Sequence, residues 1–121
     1  MRLLFAAIVS AILLATTAAP SVGQTASYAP IDCAKASTPT ETTICGNYAL
    51  GQDEARLATL YRIMTSLVAM GERGDIMDAQ QKWLARRNAC KSDVQCLTSA
   101  YKARISTLSK QFDVLARRGP F

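Results

Sequence analysis

The chain has 121 residues, with 14 Lys and Arg against 9 Asp and Glu, a formal charge of +5, four Cys and no His. Without His, the usual base for a Ser or Cys nucleophile is missing, and with no Cys-x-x-Cys unit either, neither a metal site nor a cofactor is expected. The basic residues alternate with Asp and Glu and form no block, which argues against a nucleic-acid partner.

Met1-Arg2, the apolar run Leu3 to Leu14 and the small residues up to Gly23 have the parts of a secretory signal peptide, residues 1–23. The apolar run thins at Thr16-Thr17, short of the roughly 20 residues needed to span a bilayer. Cleavage is therefore expected to leave no stable membrane anchor, and the mature chain is expected to be periplasmic or secreted. Four Cys in that oxidising setting imply two disulfides. Residues 24–32 are small, polar and broken by Pro30, and read as a flexible lead-in.

Thr38-Pro39-Thr40-Glu41 is a helix start: Thr38 as cap, Pro39 at the first helical position, Glu41 completing a capping box. A short helix should follow through Cys45 and end at Gly46. Asn47 then caps a longer helix from Tyr48 to about Met70, with Leu50, Leu57, Leu60, Tyr61, Met64, Leu67 and Val68 on one face. Gly71-Glu72-Arg73-Gly74 reads as a turn. Asp75 is placed to cap the next helix, in which Ile76, Ala79, Gln80, Trp83, Leu84, Arg87 and Cys90 share a face. Ser92 with Gln95 makes a second capping box, opening a helix to about Ala116 with Leu97, Ala100, Tyr101, Arg104, Ile105, Leu108, Phe112 and Leu115 as its stripe. Residues 117–121 should fray. No strand-like alternation remains, so the expected fold is all-α: an antiparallel bundle of three main helices and one short N-terminal helix over residues 33–116. Four Cys allow three connectivities. The layout favours Cys33–Cys45 and Cys90–Cys96 over the crossed pairings, because each pair flanks one short segment.

Two Arg fall on apolar faces, Arg87 beside Trp83 and Leu84, and Arg104 beside Tyr101 and Ile105. A buried Arg needs a partner. Asp53, on the face of Leu50, Leu57 and Leu60, is the expected partner of one; Glu41 or Asp32 could serve the other. Trp83, Leu84 and Tyr101 read as core. The neighbouring acids Asp53 and Glu54, or Asp75 and Asp78, look like solvent-side helix acids rather than a glycoside-cleaving pair, so no enzyme is expected. The polar bend Arg86, Asn88, Lys91, Ser92, Asp93 and Gln95, bracketed by Cys90 and Cys96, is the candidate partner-binding loop, with a merely stabilised turn as the alternative.

Asp32-Cys33-Ala34-Lys35-Ala36-Ser37, Thr40-Glu41 with Ile44-Cys45, Trp83-Leu84 with Arg87 and Cys90, and Cys96-Leu97 with Tyr101, Arg104 and Ile105 together resemble the lysozyme-inhibitor LprI-like family of exported bacterial proteins. The resemblance runs from Asp32 to about Leu108. It implies a small helical, disulfide-containing periplasmic or secreted domain and, for some members, inhibition of a lysozyme, which would then be the partner. The other reading is a non-inhibitory structural or adaptor domain of the envelope that binds an anionic partner. Nothing in the pattern sets an oligomeric state.

Overall fold

The computed structural model describes residues 30–119. The expected signal peptide, most of the lead-in and Pro120-Phe121 lie outside the described residues. Four helices follow one another: α1 (Pro39–Gly46), α2 (Tyr48–Leu67), α3 (Met70–Ala89) and α4 (Val94–Ala116). The described residues form no strand, and none of their helices is long and apolar enough to cross a membrane.

Helix α1 starts as its sequence requires. The Thr38 hydroxyl accepts from the Glu41 amide at 3.2 Å, and Glu41 Oε2 accepts from the Ser37 and Thr38 amides at 3.0 and 3.1 Å. These backbone donors hold the Glu41 carboxyl below the usual carboxylate range. The other end differs from the expectation of a left-handed glycine: Gly46 is the last helical residue, and among the described glycines only Gly119 has positive φ. Asn47 makes the break instead. Its extended backbone stops α1, its N–H donates to the Ile44 carbonyl, and its side chain accepts from the Leu50 amide at 3.1 Å to cap α2.

The link between α2 and α3 is shorter than the sequence suggested. Only Val68 and Ala69 lie between the helices, and Gly71-Glu72-Arg73-Gly74 belongs to the first turns of α3, where the Arg73 amide already donates to the Ala69 carbonyl. Val68 explains the shift, because it is buried in the core and must turn inward. Glu72 at the positive end of α3 favours helix there, and two glycines each weaken it by only up to about 1 kcal/mol. Asp75 accordingly caps nothing and lies exposed on α3. At α4 the cap is Asp93, not Ser92: Asp93 Oδ1 accepts from the Cys96 amide at 2.9 Å.

The short connections reverse the chain twice, so α3 runs antiparallel to α2 and α4, with α1 packed against α2 and tied to the end of α3 by a hydrogen bond from the Thr40 hydroxyl to the Asn88 carbonyl, 3.2 Å. The core joins Ile44 of α1, Leu50, Leu57, Tyr61 and Met64 of α2, Ile76 and Trp83 of α3, and Leu97, Tyr101, Ile105 and Leu108 of α4. Trp83 is the pivot. Its ring meets Tyr101 edge-on at 5.2 Å between centroids, and its Nε1 donates to the Ala100 carbonyl at 3.0 Å, fastening α3 to α4. Both favoured disulfides are present, Cys33–Cys45 and Cys90–Cys96, and no described Cys is free.

Candidate functional site

Two polar arrangements lie behind the bend between α3 and α4. The first is a buried cluster of Glu54, Arg87 and Tyr101. The stripe Leu50, Glu54, Leu57, Ala58, Tyr61 faces the core of the bundle, so Glu54, not its neighbour Asp53, is the acid that reaches Arg87. Arg87 Nη1 lies 3.5 Å from Glu54 Oε2, with both side chains almost wholly buried. The Tyr101 hydroxyl donates to the same carboxylate oxygen, and Arg87 Nη1 donates to the hydroxyl at 3.4 Å. Burial and the adjacent carboxylate push the Tyr101 hydroxyl well above its ordinary value. Glu54 also accepts from the Ile31 amide at 3.2 Å, which ties the start of the domain to its centre. The Arg87 guanidinium is completed by the Asn88 side-chain oxygen, at 3.1 and 2.9 Å, and by the face of Trp83, 5.4 Å away.

The second arrangement corrects another expectation. Buried Arg104 has no carboxylate within ion-pairing distance among the described residues: its Nε donates to Gln80 Oε1 at 2.9 Å and its Nη2 to the Ile76 carbonyl at 3.2 Å. Glu41 is occupied with its capping box, and Asp32 pairs with exposed Lys35 at 3.4 Å. Burial, and then the nearby Arg86 cation, lower the tendency of Arg104 to hold its proton, while Tyr61 works the other way.

The bend itself is well fixed. The Cys90 amide donates to the Arg87 carbonyl, Lys91 to Asn88, and Asp93 to Cys90, with the Cys90–Cys96 bond across its base. Lys91 sits in left-handed backbone, φ 51°, which few non-glycine residues adopt. The six residues expected to form a contact loop, Arg86, Asn88, Lys91, Ser92, Asp93 and Gln95, are all exposed. They are not equally available. Asn88 already serves Arg87 and Asp93 already caps α4, which leaves Arg86, Lys91, Ser92 and Gln95 as the side chains offered outward. Arg86 and Lys91 have no carboxylate within ion-pairing distance among the described residues.

Beside the bend, α3 and α4 leave a groove of about 490 Å³, lined by Lys82, Trp83 and Arg86 on one side and Ala100, Ala103 and Arg104 on the other, with the Cys90–Cys96 bridge in its wall. No local pattern marks this groove as a unit, because it arises only where two helix faces meet. The spacing of Lys82 and Arg86 on α3 and of Ala100, Ala103 and Arg104 on α4 is its trace in the sequence. No group of three or more potential metal ligands occurs among the described residues.

The profile of one family, described as lysozyme inhibitor LprI, matches residues 33–114. The chain belongs to this family. No curated protein and no solved structure matches it. The LprI match begins at the first Cys and takes in both disulfides, the Glu54–Arg87–Tyr101 cluster and the bend, so all the features above lie inside the family domain.

Proposed function

We propose that this LprI-family protein is an exported binding protein that inhibits a lysozyme-type muramidase by occupying its cleft with the bend between α3 and α4. The observation that carries the reading is the pairing of family membership with a cationic turn whose base is closed by a disulfide. Such a turn orders few side chains on binding, and that is how a preorganised loop gains affinity. Arg86 and Lys91, without internal counterions, would meet the carboxylates of a muramidase cleft, and Ser92 and Gln95 supply neutral hydrogen bonds around them. Two disulfides fit an exported protein. After the expected signal peptide the chain carries 13 Lys and Arg (14 less Arg2) against 9 Asp and Glu, a charge of +4 that opposes approach to a basic enzyme, so the attraction is local and should not fade as salt screens the long-range field.

The test uses Lys91→Gly and Arg86→Glu. Glycine suits the left-handed position that Lys91 now occupies, so Lys91→Gly keeps the fold while removing the charge. Both variants should keep the wild-type helical spectrum and lose inhibition at least tenfold. Undiminished inhibition by both would mean that the bend is not the contact. In a non-inhibitory envelope domain drawn to anionic surfaces, the same changes would only reduce a broad attraction.

A further inference from the structure

We propose that the groove between α3 and α4 is a binding site for an acidic segment of a protein partner, a carboxylate side chain with an apolar neighbour. Three cations converge on this one cavity, Lys82, Arg86 and Arg104, and no acidic residue lines it. None of the three lies within ion-pairing distance of a carboxylate among the described residues. Arg104 is the informative member. It is 7 % exposed and held from behind by two neutral acceptors, Gln80 Oε1 and the Ile76 carbonyl. A cation withdrawn from water without an acid is costly, and a carboxylate entering the groove would supply the missing counterion. The fully buried Gln80 contributes only its oxygen to that cation, fixing the guanidinium without neutralising it.

The other walls explain the apolar part of the ligand. Ala100 and Ala103 keep the α4 side low, and the indole of Trp83 adds an apolar surface to the lining. A volume of about 490 Å³ holds one or two side chains and is too small for a nucleic-acid backbone with its bases. The groove adjoins the bend, and Arg86 belongs to both, so a partner engaging the bend would reach the groove with a neighbouring acidic residue. The partner's identity as a muramidase rests on the function proposed above; the chemistry of the groove does not.

Trp83 is the only Trp in the chain and sits in the groove wall, so its emission reports occupancy directly. The purified, oxidised protein is titrated in low salt with an acetylated and amidated Leu-Glu-Leu peptide, with the corresponding Leu-Lys-Leu peptide, and with inorganic phosphate. The acidic peptide should give a saturable change that the basic one does not. Lys82→Glu and Ala103→Leu, both at exposed positions, should weaken that binding at least tenfold while melting as the wild type does. The proposal is overturned by a folded protein showing no saturable response to the acidic peptide, by equal responses to both peptides, or by undiminished binding to the Ala103→Leu variant. Phosphate matching the acidic peptide would also overturn it, by showing a simple anion sink. If lysozymes are not inhibited but acidic-peptide binding holds, the groove stands with a different partner; if inhibition holds without peptide binding, the groove alone falls.

Discussion

Changing Glu54 to Gln preserves the shape of the side chain but leaves one acceptor oxygen where two now serve Ile31 and Tyr101, and it strands Arg87 as a buried cation. Both side chains of this pair are about one-twentieth exposed. Breaking a buried pair by removing one partner costs about 3 to 5 kcal/mol. Arg87 keeps its two bonds to Asn88 and its place over Trp83, so the lower end, about 3 kcal/mol, applies to Glu54→Gln. For a domain of this size that corresponds to a fall in Tm of roughly 12 to 24 °C, and to a large share of a total stability of about 5 to 15 kcal/mol. Arg87→Met alone strands Glu54 instead and also gives up the Asn88 bonds. The double variant Glu54→Gln with Arg87→Met leaves no stranded charge, so its cost should fall short of the sum of the single costs by about 2 kcal/mol. Guanidinium unfolding of the oxidised protein, followed by helical circular dichroism and by Trp83 emission, measures all three. Additivity within about 0.5 kcal/mol would show that the pair is not a unit and would refute this account of the cluster.

The Tyr101 hydroxyl is held above its ordinary value of 10.0 by burial and by Glu54. A raised folded-state value stabilises fully below the unfolded value and is lost as pH climbs above it, so stability should decline from about pH 10 upward. Tyr101→Phe should flatten that decline, and absorbance titration of the wild type should show one tyrosine ionising only as the helices melt. Replacing Cys90 and Cys96 by Ser should cost about 2 kcal/mol by the loop-closure model, read as a lower guanidinium midpoint, while the helical content of the folded state stays as it was.

Much of the fold is legible because short-range chemistry decides it. The capping box at Thr38 and Glu41, the cap at Asn47, the stripes of α3 and α4 and that of α2 except Leu67, which is exposed at the helix end, and the pairing of Cys across short segments are local signals that appear in the structure. The misread link shows where local signals fail. Gly71 and Gly74 look like a turn, but the burial of Val68 places the reversal before them, and tertiary packing overrides propensity. At α4, Ser92 and Asp93 are both acceptable caps, and the hydrogen bond from the Asp93 amide to the Cys90 carbonyl selects the second. Arg87 was recognisable as a buried cation from its place beside Trp83. Its partner turned on whether Asp53 or Glu54 faces inward, a rotation of one residue on α2 that a broad apolar stripe leaves open. Arg104 was recognisable in the same way, yet its lack of an acid partner and the groove beside it depend on how α3 meets α4.

The measurement closest to the central claim is a cell-wall lysis assay with lysozymes of several classes, adding purified, oxidised protein and repeating each titration in raised salt. Inhibition of the muramidase predicts dose-dependent protection against at least one class that does not weaken as salt rises. A folded, helical protein that protects against no class would contradict it.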